Sequence, residues 1–76
     1  MLLTELARGH SARVVAIRAE RSVSTRLMEL GLLPGGTVRL VRVAPLGDPL
    51  VIAVRGAELS VRASEARHIE IERIAP

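Results

Sequence analysis

The sequence predicts a mainly β domain with one short helix: five short strands bent into a small barrel, with the helix between strands 1 and 2. Three observations lead there. Runs rich in Val, Ile and Leu recur in short stretches separated by Gly, Pro and polar turns. Only one stretch keeps helical spacing. At 76 residues the chain has no second layer to cover a flat sheet, so a sheet that curls on itself is the economical solution.

The helix and its exit sit in R-L-M-E-L-G-L-L-P-G-G at 26–36. Val23, Leu27 and Leu30 fall at i, i+4, i+7 and predict one buried face. Ser22 or Ser24 offers a hydroxyl to cap the helix start. Gly31 follows the last periodic residue, where a helix commonly ends in a left-handed conformation, and Leu32 is placed to fold back on the last turn. Pro34-Gly35 fits the centre of a type II turn, with proline fixing φ and glycine supplying a positive φ.

Around this hinge the chain reads in order. Leu2, Leu3 and Leu6 form a short piece that lays leucines on the core, and 9–11 make a turn. The first strand is expected over 12–18 and the second over 37–43. The second has a phase break: Val38 and Leu40 agree, Val41 and Val43 agree, and the two pairs disagree. A regular strand would send Arg39 and Arg42 to opposite faces, so a bulge is expected near Leu40-Val41. After the loop 44–49, bounded by prolines, come a strand over 50–54, a tight hairpin at Arg55-Gly56 and a strand over 57–61. In that strand Ala57, Leu59 and Val61 are expected inward. A helical turn over 64–67 and a last strand over 68–74 finish the chain, with Ile69 and Ile71 inward. Together these give a five-stranded, SH3-like barrel forming a single domain over 1–76.

Composition narrows the function. No apolar run approaches the ~20 residues of a membrane-spanning helix, and the start lacks the pattern of a signal peptide, so a soluble, cytoplasmic protein is expected with no direct membrane insertion. The absence of cysteine excludes disulfides, thiolate metal sites and cysteine nucleophiles. Without Phe, Tyr or Trp there is no platform for stacked bases or proline-rich peptides. The net charge of +3 rests on eleven arginines among eight acids, with no basic run. No nucleophile and base share a motif spacing and no glycine-rich phosphate loop precedes a helix; a non-enzymatic protein without a cofactor is expected. His68, Glu70 and Glu72 alternate on one strand face about 6.6 Å apart, too spread for a metal site, and His10 lies far off in sequence. These polar residues read as a solvated face, and no metal ligand is assigned.

Four motifs in register resemble the FeoA family: R-L-M-E-L-G-L-L-P-G-G at 26–36, V-A-P-L-G-D-P-L at 43–50, V-R-G-A-E-L-S-V-R at 54–62 and S-E-A at 64–66, with L-T-E-L-A-R-G at 3–9 opening the chain. The resemblance implies a small cytoplasmic SH3-like barrel of bacterial ferrous iron uptake. It would act with FeoB, the membrane permease whose cytosolic part is a GTPase, docking on that part or on the membrane part. The same domain also occurs at the C-terminus of DtxR-type metal repressors, an alternative against which Met1 directly before the fold speaks. Ala57 departs from the larger, often aromatic, residue that many relatives carry there.

The expected partner surface comprises Pro45, Leu46, Gly47, Asp48 and Pro49, where rigid prolines present a leucine at low entropy cost. Arg26 and Glu29 on the helix's polar side are the second candidate. The bland alternatives are a Leu46 tucked onto the barrel and a local i, i+3 ion pair between Arg26 and Glu29. A rival function is nucleic-acid binding through Arg39, Arg42, Arg55 and Arg62; the missing aromatics and interspersed acids make nucleic acid the less expected partner.

Overall fold

The computed structural model describes residues 1–74; Ala75 and Pro76, part of the single domain expected over 1–76, lie outside the described residues. The five strands are β1 (Ser11–Ile17), β2 (Thr37–Val43), β3 (Leu50–Val54), β4 (Ala57–Val61) and β5 (Ile69–Ile74). Helix α1 (Arg21–Glu29) lies between β1 and β2, and the single turn α2 (Ala63–Ala66) between β4 and β5. All pairings are antiparallel, in the order β4-β3-β2-β1-β5. Among the described residues no helix is long and apolar enough to cross a membrane.

The sheet wraps one apolar core. Ile52 in β3, Val38 and Leu40 in β2, Val14 in β1, and Ile69 and Ile71 in β5 are all buried, with Leu27 from α1 and Leu3 and Leu6 from the opening segment. Among the described residues the interior is wholly aliphatic and no buried residue is polar. Leu2 departs from its expected place and is 37% exposed. It bridges instead to Glu70 at the edge of β5.

The exit from α1 follows the expected chemistry closely. Gly31 has φ +108°, its N–H donates to Met28 O (3.0 Å), and Leu32 N–H donates to Leu27 O (3.0 Å). This paired arrangement ends a helix with a left-handed glycine and satisfies two carbonyls that would otherwise lack a partner. Leu32 is thereby driven into the core beside Leu27. Gly35 has φ +89°, and Gly36 N–H donates to Leu33 O (2.9 Å), closing the type II turn. That turn docks on β1, where Val14 N–H donates to Gly36 O and Gly35 N–H to Val14 O.

Other expectations are corrected. Neither serine caps α1: the helix starts at Arg21 behind Glu20, which makes no side-chain cap, and Ser24 Oγ donates back to Glu20 O (3.0 Å). With Ser22 and Ser24 already inside the first turn, the hydroxyl bonds to the preceding carbonyl instead. Leu30 is 46% exposed, because the helix ends at Glu29 and the chain has begun to turn away. Sequence spacing assumed one more helical residue; Leu32, after the glycine, occupies the core instead.

Two bulges bend the sheet. The expected one lies at Val41: Leu40 pairs with Ile52 and Arg42 with Val51. It returns Arg39 and Arg42 to one outer face, since their partners Ala53 and Val51 are two apart. A second bulge, not foreseen, falls at Val15 between the pairs Val14–Ile71 and Ala16–Glu70. It leaves Val15 exposed and restores Ile17 to the inner side.

Candidate docking surface

The loop 44–49 is built from two nested constraints. Ala44 N–H donates to Pro49 O (2.9 Å), which holds the loop's ends together as β2 passes into β3. Inside it, Gly47 N–H donates to Ala44 O (3.0 Å), closing a tight turn with Pro45 and Leu46 at its centre. Leu46 adopts φ 70°, ψ 12°, the left-handed conformation that the third position of a type II turn requires. Glycine is the ordinary occupant there, and a γ-branched side chain costs about 1 kcal/mol or more. The side chain is 104% exposed. Its alternative placement, tucked onto the barrel, is therefore corrected: Leu46 stands clear of the fold on a strained, doubly fastened turn. Strain of this kind persists where the surroundings impose it and often marks a site of use.

Asp48 fastens the loop to its neighbour. Its Oδ1 accepts from Ala63 N–H (3.1 Å), an amide at the start of α2 that the helix itself leaves unpaired. Two residues further on in α2, Glu65 receives Arg26 of α1 in an ion pair. The expected local pair between Arg26 and Glu29 is thus corrected. At i, i+3 the two were within reach, but Glu65 is largely shielded by the fold and Arg26 turns to it across the gap. Glu29 is exposed and has no ion-pair partner among the described residues. Loop 44–49 and the polar side of α1, two candidates separated in sequence, are therefore tied to the same short helix. The bridging role of α2 was missed by sequence reasoning, and S-E-A at 64–66 was its only local sign.

A further group escaped the sequence reading. Met28, Leu30 and Leu33 are each more than a third exposed at the end of α1 and just past it. The periodicity that placed Leu30 inside concealed them. Gly31, between Leu30 and Leu33 in the chain, lies against the β3–β4 hairpin: a Cβ there would sit 3.3 Å from Val54 Cγ1 and 3.4 Å from Arg55 Cδ.

The remaining polar candidates are occupied by one another. Glu70 pairs with Arg18 (2.8 Å) and Glu72 with Arg13 (3.3 Å), so these carboxylates are engaged by arginines of β1 and the residue after it. His68 lies one residue before β5 and faces an open cleft of about 480 Å³ with Arg18, Glu20 and Glu65. Among the described residues no three metal-ligating side chains converge. The four arginines of the nucleic-acid alternative are dispersed: Arg39 and Arg42 share the outer face, Arg42 is 3.5 Å from Glu58, and Arg55 and Arg62 lie beyond opposite ends of β4. Ala57, expected inward, is instead exposed at the start of β4, next to the hairpin turn.

The family model described as "FeoA domain" matches residues 1–73. The chain is 33% identical over 75 residues to the Fe(2+) transport protein A/Fe(2+) transporter FeoB fusion protein of Porphyromonas gingivalis. That match takes in 99% of this chain and only 9% of the fusion protein. The solution structure of the FeoA protein from Chlorobium tepidum is 41% identical, with a TM-score of 0.94 over 99% of this chain and 71% of that one. The crystal structure of zinc-complexed FeoA from Stenotrophomonas maltophilia, described there as a procaryotic SH3 domain protein, is 34% identical with a TM-score of 0.82. It covers 95% of this chain and 89% of that one.

Proposed function

This chain belongs to the FeoA family, and from that premise we propose that it is a non-enzymatic, cytoplasmic accessory protein of ferrous iron uptake that docks on a FeoB-type permease. The observation that carries the partner is the fusion protein, in which a segment 33% identical to this chain shares one polypeptide with a transporter named FeoB. Covalent linkage keeps two modules at high effective concentration, which is useful when the modules work together. The geometry supplies the means. Leu46 offers a rigid apolar anchor whose ordering cost is already met by its own fold. Asp48, α2 and Arg26 give a connected polar margin next to that anchor. The cytosolic GTPase part of the permease is the docking partner in this proposal, because it lies on the same side of the membrane.

Ferrous iron uptake by cells lacking the gene tests it. Uptake is expected to fall on deletion and to return with the wild-type chain. It is expected to stay low with Leu46→Asp, a variant whose fold should survive because the side chain touches no core residue. Uptake that is the same with and without the gene would refute the proposal.

A further inference from the structure

The two edges of the sheet are treated differently. The β5 edge is covered by the chain's own start: the Met1 ammonium donates to Ile71 O (3.1 Å), Ile71 N–H donates to Met1 O (2.7 Å), and Leu2 bridges to Glu70. The β4 edge has no such cover. Arg55 and Gly56 both have positive φ, so the hairpin is a two-residue turn that pairs Val54 directly with Ala57. From that pair the alternation is fixed: Ala57, Leu59 and Val61 turn their N–H and C=O toward β3, and Glu58 and Ser60 turn theirs away. Among the described residues those outward groups bond nothing, and both residues are exposed. An uncovered edge of this kind is a template for another strand.

The side chains on that edge complement themselves. Glu58 and Arg62 lie two residues to either side of Ser60. A second copy laid antiparallel, with Ser60 opposite Ser60, places each Glu58 opposite the other copy's Arg62. Centring on Leu59 leaves Glu58 opposite Ser60, and centring on Glu58 brings like charges together. Of the symmetric registers centred within β4, only the one on Ser60 pairs opposite charges across the strands. Arg62 is ready for such a partner. It has no ion pair among the described residues and lines an open depression of about 410 Å³ with Asp48, Pro49 and Ser60. Asp48 already accepts from Ala63 N–H. Among the described residues Glu58's only ionic contact is the 3.5 Å approach of Arg42, which stays on the same face.

We propose that β4 pairs with β4 of a second copy of this chain in a symmetric antiparallel dimer centred on Ser60. Its ladder has two bonds between the Ser60 residues and two from Arg62 N–H to Glu58 O. The Arg62 carbonyl takes no part because it already accepts from Glu65 and Ala66. So short a ladder with exposed ion pairs gives a weak dimer, with a Kd on the order of 0.1–1 mM.

Amide NMR spectra and sedimentation equilibrium from about 0.05 to about 2 mM protein test this. The dimer predicts concentration-dependent shifts at Glu58, Ser60 and Arg62. Arg62→Glu should weaken association about tenfold, and Glu58→Arg likewise. The double swap Glu58→Arg with Arg62→Glu should return it to within about threefold of the wild type. Ser60→Pro removes an outward N–H and no bond to β3, so it should abolish the dimer while the β3 amides keep their shifts. A chain that stays monomeric throughout, or a dimer indifferent to Arg62→Glu, would overturn the proposal. So would a double swap that fails to restore association.

Discussion

Leu32→Ala is expected to destabilise the domain by about 3 kcal/mol, because it empties a fully buried leucine site in an aliphatic core. Leu32 is held there by its own backbone, through the bond from its N–H to Leu27 O after the left-handed Gly31. The surroundings are therefore poorly placed to collapse into the space. A domain of this size has only a small margin of stability, so this is a large fraction of it. The melting temperature should drop by about 15 °C. The neighbouring Leu33→Ala provides the contrast. That side chain is 41% exposed, and its loss should change stability by no more than about 0.5 kcal/mol. Thermal unfolding of both variants decides the matter; similar losses would mean that the helix exit does not sort the two leucines as described.

Leu46→Gly should act in the opposite sense on stability and strongly on binding. Glycine adopts φ 70° without steric cost, which offsets its larger entropy in the unfolded chain. Because the leucine side chain is fully exposed, no packing is lost, and stability should be unchanged or raised by about 0.5 kcal/mol. Affinity for the cytosolic domain of the permease should fall by about tenfold or more, as expected when an interface loses a central apolar anchor. Calorimetric titration alongside thermal unfolding separates the two effects. Unchanged affinity would remove Leu46 from the docking surface.

Much of the fold was legible because glycine and proline have few uses. Gly31, Pro34-Gly35 and Arg55-Gly56 each specify a turn by the φ they permit, and each turn formed where it was read. The bulge at Val41 was legible because the arginines and valines of β2 could not all be in phase without it. The bulge at Val15 was not, since Ala16 can face either side and no charge marks the slip. Leu30 was misplaced because periodicity does not reveal where a helix stops, and a stop one residue earlier turns an inner leucine outward.

The proposed docking surface was legible only in pieces. The exposure of Leu46 could be anticipated from its two prolines, but its left-handed backbone could not, since leucine is not chosen for that conformation. The ion pair from Arg26 to Glu65 joins residues 39 apart, and no local rule predicts it. Asp48 reaching Ala63 is the same kind of contact, fixed by the way β3 and β4 return the chain to the loop. Local chemistry therefore gave the turns, while the linkage of loop, α2 and α1 required the folded sheet.

An NMR titration of the isotope-labelled chain with the soluble GTPase domain of a FeoB-type permease, with and without a GTP analogue, tests the proposed docking most directly. Shifts are predicted to gather at Pro45, Leu46, Gly47, Asp48 and Pro49, and at Arg26 and Glu29. A spectrum unchanged in every nucleotide state would contradict docking on that domain, and shifts confined to other residues would contradict the surface assigned to it.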